Sequence, residues 1–332
     1  INLAIAKYLY NELKKVNIIP IMTRTEDKLY QDSRNKDIRY RPRVAEENSA
    51  DLFISIHTNN FPSSQPSGSQ LFYKNGSKES KKLAEFIQQE LIKLRKENNR
   101  VIKTGDYYVL NKVTCPGVLV EVGFISNPED RKFLTDKNYQ QELARAITAG
   151  ITGYLQSTFS YRGEPSVEGN KEDTVINTIA NNTGSQTGID FTGSYLYFLD
   201  SNQQGLFLIK SDMTLPTGDF FSEEYYSRTF SEIMALEAME QLSRPPAGLF
   251  SPLPDKTVVK SLTIENKIAR IDFSKELSLN FNGGAEMEKA IIEAITKTLL
   301  SIPGIEGVEI LLDGEKGSSI GGHIILNKIY KK

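Results

Sequence analysis

Two apolar runs, Leu52-Phe53-Ile54-Ser55-Ile56 and Gly117 to Phe124, stand between stretches of helical spacing, and this alternation restricts the first half of the chain more than any other feature. Short apolar runs without alternation suit strands covered on both faces, and helices between them supply the cover. Ile1, Ile5, Tyr8, Leu9, Leu13 and Val16 form one helical stripe, and Leu83, Phe86, Ile87, Leu91 and Leu94 form another. A further helix is expected from about Gln140 to Leu155. Asn127-Pro128 followed by Glu129 and Asp130 reads as a helix start, with a cap, a proline in the first turn and acidic residues at the positive end of the helix dipole. Asn17 to Thr23 and Tyr107 to Leu110 read as short strands, and Arg41 to Asn48 as a short helix with Pro42 in its first turn. The expected fold of residues 1–157 is an α/β domain with a mostly parallel sheet flanked by helices. Ligands of such sheets gather beyond the carboxyl ends of the strands, which directs attention to His57 and Glu121.

Thr158 to Gly193 is polar and rich in Gly, Ser, Asn and Thr, the composition of a linker. Residues 194–332 then read in the order ββαββαβ, a smaller α+β domain with a long helix at about Ala285 to Ser301. The first part carries 24 basic and 18 acidic residues, a balance of +6, and the remainder 16 and 24, a balance of −8. A mildly basic first part would be drawn weakly to a polyanion, and no nucleic-acid motif accompanies it. No apolar run approaches the ~20 residues of a membrane span. Because the chain opens inside an amphipathic pattern with no Met or cap ahead of Ile1, the natural protein is expected to extend upstream, where any export signal would lie. Cys115 is the single cysteine, so no bridge forms within the chain, and His57 and His323 are the only histidines. A metal site therefore has at most two imidazoles to draw on.

His57 closes the strand run in SIHTN, and Glu121 interrupts PGVLVEVGF. An ionised carboxylate among Val118, Leu119, Val120 and Val122 is costly unless it meets a cation or hydrogen-bond donors. Singly, each residue reads equally as a strand-end structural group; together on two strands they point to a site. His323, in a GGH turn of the other domain, reads as structural. The chain has no G-x-S-x-G elbow, which argues against a serine hydrolase.

Five ordered blocks, INLAIAKYL, MTRTED, Arg43 with Asn48 ahead of ADLFISIHTN, SKKLAEFIQQEL and VLVEVGFISNPED, resemble the catalytic domain of zinc-dependent N-acetylmuramoyl-L-alanine amidases. The resemblance implies that His57 is a zinc ligand and Glu121 the catalytic carboxylate. It also implies a histidine and a glutamate on a segment ahead of Ile1, and hence a first domain here without its opening strand. Zinc would lower the pKa of a bound water and polarise the carbonyl, with Glu121 moving the proton from water to the leaving amine. The bond would join the lactyl group of N-acetylmuramic acid to L-alanine in peptidoglycan. Arg43, Asn48 and Asn59 are candidate substrate contacts; Arg24, Arg34, Arg39 and Arg41 read mainly as solvated arginines.

In the second half, YLYFLD, SEIMALEAMEQL with SRPPAGLFSPLP, ARIDFS and ITKTLLSIPGIEGVEILLDG resemble the GerMN domain of sporulation and germination proteins. That implies a sporulation or germination setting, outside the cytoplasm in the wall or spore envelope, with peptidoglycan as partner and sporulation proteins meeting the C-terminal domain. The competing reading is a metal-free amidase-like protein that binds wall or a partner without cutting.

Overall fold

The computed structural model describes residues 1–159, 193–202, 205–214 and 228–332. The first half runs α1 (Asn2–Lys15), α2 (Arg34–Glu47), β1 (Phe53–Asn59), β2 (Gln70–Tyr73), α3 (Lys78–Leu94), β3 (Lys103–Thr104), α4 (Tyr108–Lys112), β4 (Gly117–Phe124), α5 (Pro128–Thr135) and α6 (Lys137–Phe159). The second half runs β5 (Tyr195–Asn202), β6 (Gly205–Asp212), α7 (Phe230–Leu242), β7 (Val259–Glu265), β8 (Ile268–Phe273), α8 (Glu276–Leu279), α9 (Ala285–Ser301), β9 (Gly307–Leu312) and β10 (Tyr330–Lys331). The linker stretch, Thr158 to Gly193, lies almost wholly outside the described residues.

Every residue of β4 is buried because β4 is an inner strand with both faces covered. The sheet order is β1-β4-β2-β3, with β1 parallel to β4, β2 parallel to β3 and β2 antiparallel to β4. Val118, Val120 and Val122 point to one face, where they join Ile5 of α1, Ile87 of α3 and Ile147 of α6 in one buried cluster. The helices form where their sequences cap them: Ser77 accepts the Ser80 N–H ahead of α3, and Asn127 accepts the Glu129 and Asp130 N–H groups ahead of α5. Asp130 in turn accepts N–H groups from Gly68 and Phe124, both at 2.8 Å, pinning the end of β4.

Leu119 and Glu121 alternate to the opposite face, which the second half of the chain covers. Phe53, Phe72 and Leu119 of the sheet belong to the same continuous apolar cluster as Leu196, Phe198, Ala285 and Ile292. Phe61 meets Phe250 edge-on, with ring centroids 5.3 Å apart. Because α9 packs against β5 and β6 on one side and approaches β1 on another, it is buried nearly all round, which explains its apolar residues on every face. β7 to β10 form a second four-stranded sheet in the order β10-β9-β8-β7, and β5 with β6 a hairpin.

Polar groups pin the halves together. Arg34 donates to the Ile320 carbonyl at 2.7 Å and the Ser278 carbonyl at 3.0 Å, Arg39 to the Gly317 carbonyl at 2.8 Å, and Tyr108 N–H to the His323 carbonyl at 2.8 Å. Two of the arginines read as solvated are thus structural cross-links.

Three local expectations fail. Residues 17–23 form no strand; Ile19 and Ile21 are exposed, and nothing among the described residues pairs with them. The helix expected at Arg41 begins at Arg34, with Ser33 accepting the Lys36 N–H as its cap, so Pro42 lies inside it. The contacts of Arg34 and Arg39 with the second half favour the longer helix despite the proline. Tyr107 to Leu110 leads into α4 rather than a strand, for short aromatic and apolar runs do not distinguish the two.

The second half offers one simple test of local chemistry. Thr229 accepts the Glu232 N–H at 3.3 Å while Glu232 accepts the Thr229 N–H at 2.7 Å, a reciprocal cap at the start of α7. Thr229→Ala is expected to cost about 1 kcal/mol, read as a lower urea midpoint with an unchanged slope.

Candidate active site

The parallel pairing of β1 with β4 sets His57 opposite Glu121 in register, so two polar groups from two apolar strands share one face. His57 Nε2 lies 2.8 Å from Ser55 Oγ, and its Nδ1 lies 3.2 Å from Nε2 of His323. His323 Nδ1 lies 2.8 Å from Glu288 Oε2, and the same oxygen accepts the His323 backbone N–H at 2.9 Å. The Glu288 carboxylate can only accept, so His323 Nδ1–H is the donor to it, and the contacts run in one line from Ser55 through His57 and His323 to Glu288. Burial, reinforced by His323, Arg41 and Arg24, holds the His57 imidazole well below its ordinary pKa.

Glu121 is completely buried, and its Oε1 accepts the backbone N–H of Ala285, the first residue of α9, at 3.0 Å. Its other oxygen, Oε2, has no hydrogen-bond partner among the described residues. Burial pushes the carboxyl up to about 8, with the Ala285 N–H and Arg100 acting against it and Glu286 with it. A carboxyl raised into this range can both take and return a proton near neutral pH.

The other sequence candidates are spread around this pair. Asn59 is buried at the end of β1 and accepts the Asn60 N–H at 3.0 Å. Asn48 lines a groove of about 1010 Å³ and holds the end of α2 through a 2.8 Å bond to the Val44 carbonyl. Arg43 is exposed and pairs with Glu47 at 3.2 Å. That groove follows the outer edge of β1, where no strand pairs among the described residues, and His57 and Arg41 reach it. Sequence reasoning missed His323, Glu288 and the Gly284-Ala285 segment. His323 stands beside His57 although 266 residues separate them; no local pattern encodes that contact, and a backbone N–H has no sequence signature at all.

A catalytic zinc ion takes about three protein ligands and keeps an open position. Among the described residues, no three His, Cys, Asp or Glu side chains converge in a way that would hold a metal. The residues described here therefore do not make a complete zinc site; His57 offers one neutral imidazole toward one.

The family model for N-acetylmuramoyl-L-alanine amidase matches residues 1–153, and the one for sporulation and spore germination matches residues 195–318. The germination-specific N-acetylmuramoyl-L-alanine amidase of Bacillus subtilis is 34% identical over 174 residues, which cover 50% of this chain and 72% of that protein. The chain belongs to the N-acetylmuramoyl-L-alanine amidase family. The amidase LytC of Bacillus subtilis is 35% identical over 158 residues, covering 47% of this chain and 31% of that one. Among solved structures, the CwlD amidase of Clostridioides difficile in complex with the GerS lipoprotein is 36% identical, covering 47% of this chain and 84% of that chain at a TM-score of 0.45. The amidase match falls on the half that holds His57 and Glu121, and the sporulation and germination match on the half that closes over them. No helix among the described residues is long and apolar enough to cross a membrane.

Proposed function

We propose that this amidase-family chain hydrolyses the amide between N-acetylmuramic acid and L-alanine of peptidoglycan during spore germination, outside the cytoplasm, with zinc as its metal. The observation that carries the reading is the register pairing of His57 with Glu121 on one buried sheet face, within the half that matches the amidases. Glu121 acts as the acid–base group: it takes the proton of the attacking water and hands it to the alanine nitrogen as the bond breaks. His57 supplies one metal ligand. Among the described residues no second and third ligand converge with it, and His57 faces the groove that follows the edge of β1. Asn59, Asn48 and Arg43 are assigned to substrate contact or to bracing the β1 edge. Likeness to the germination-specific amidase of Bacillus subtilis supports the germination setting, and the second half supports contact with sporulation proteins.

The test is zinc per chain, by elemental analysis after loading with zinc and desalting, together with release of stem peptides from purified peptidoglycan. About one zinc per chain and measurable release, both lost in His57→Ala, is the expected result. Zinc retained by His57→Ala removes His57 from the ligand set. No zinc and no release from either protein would leave the metal-free wall-binding reading standing instead.

A further inference from the structure

The second half of the chain lies on all three central candidates at once. Glu121 receives the Ala285 N–H, His57 meets His323, and Asn59 lies against Gly284 so closely that a Cβ there would come within 2.6 Å of Asn59 Oδ1 and 3.0 Å of Asn59 Cα. Gly284 has φ −93°, open to any residue, so what demands glycine is space rather than backbone conformation. The bond brought to Glu121 is the amide between Gly284 and Ala285. It is an acyl group joined to the nitrogen of an L-alanine, the same linkage the family is named for cutting, with the alanine nitrogen 3.0 Å from the carboxylate. Asn60 Nδ2 donates to the Asn282 carbonyl at 2.8 Å, holding the approach to this segment in place.

We infer that Gly284-Ala285 is a built-in pseudosubstrate, by which the C-terminal domain occupies the amidase site and keeps it closed until that domain is drawn away. The inference rests on the amidase reading above. The Gly284 carbonyl is taken up by the Glu288 N–H at 3.1 Å as the first bond of α9, which ties the mimic into a helix rather than leaving it as an extended peptide. Glu288 also holds His323 over His57, so one helix turn carries both contacts that cover the site.

Two variants of the full chain open the seat by different routes. Gly284→Leu fills the space Asn59 needs. Ala285→Pro removes the N–H that Glu121 accepts, and proline is well tolerated at the first position of a helix, so the fold should survive. The probe is N-acetylmuramoyl-L-alanine, the smallest compound carrying the bond, titrated by NMR, with hydrogen exchange of residues 283–288 measured alongside. The expected result is slow exchange at Ala285 in the parent chain and binding at least ten-fold tighter in both variants. Parent binding as tight as that of the variants would overturn the pseudosubstrate while leaving the amidase reading intact. Fast exchange at Ala285 in the parent chain would overturn it too. If exchange shows the segment released in the variants and none of the three proteins binds, the amidase reading itself fails and takes the pseudosubstrate with it.

Discussion

Glu121→Gln should leave the protein more stable than the parent at pH 9, nearly equal to it at pH 4, and much slower at hydrolysis. The sign follows from the carboxyl's elevated pKa. Burial raises it to about 8 in the folded chain against an ordinary value of 4.5. Folding therefore favours the protonated form, and its contribution is fully present below about 4.5 and lost as the pH climbs through 8. Glutamine keeps an oxygen for the Ala285 N–H and carries no charge to desolvate. The shift sets a ceiling of roughly 5 kcal/mol on the difference at pH 9, and about 2–5 kcal/mol is expected, read from denaturant midpoints of the two proteins at pH 4 and pH 9. Groups common to both proteins cancel in the comparison. Parallel midpoints across that range would mean that Glu121 is hydrated in solution. Loss of the acid–base group is expected to lower hydrolysis about 10²–10⁴-fold, measured on peptidoglycan with zinc-replete protein.

Glu288→Ala should be the most destabilising single change in the second half, by about 3–5 kcal/mol. The carboxylate is fully buried and serves the His323 N–H, His323 Nδ1 and the Ser319 hydroxyl at 2.8 to 2.9 Å. Alanine leaves all three without an acceptor and opens a cavity beneath them. Burial pushes this carboxyl up, but His323, Gly321 N–H and Ser319 more than offset it and hold it below its ordinary value. Its stabilisation is thus present above about pH 4.5 and fades as the pH falls further, so the gap between parent and variant should narrow in acid. Urea unfolding at pH 7 and pH 3 measures both parts; a gap that widens in acid would contradict the assignment of charge. Glu288→Gln, which retains one acceptor, should lie between the two.

The contrast between these two glutamates shows what the sequence could and could not disclose. Glu121 was legible because a lone carboxylate inside PGVLVEVGF is expensive to bury without a purpose, and the strand character of that run was unambiguous. Glu288 sits in a helix among alanines and isoleucines, where a glutamate is an ordinary solvated residue; only the packing of α9 on both sides reveals that it is enclosed. The order of elements in the second half was readable from period and turn chemistry. The strand assigned to residues 17–23 was not, because apolar character says that a segment can pair but not whether a partner stands beside it. Likewise, Pro42 marks a probable helix start locally, yet Arg34 and Arg39, held by carbonyls more than two hundred residues away, extend α2 past it.

Those long-range pins also govern when the molecule is finished. Arg34 meets Ile320, Asn35 meets Ser319 and Tyr108 meets His323, so the first half waits for the second. Contacts of such sequence separation form late and slowly, since the loop between them must close before it is rewarded. A ribosome that has released β4, which ends at Phe124, has still to reach α9 at Ala285 and then His323. During that interval Phe53, Phe72 and Leu119 present an apolar sheet face to solvent, a surface on which chaperones or premature aggregation act. Glu121, not yet covered, is then a hydrated carboxylate, and only the arrival of α9 turns it into a buried one.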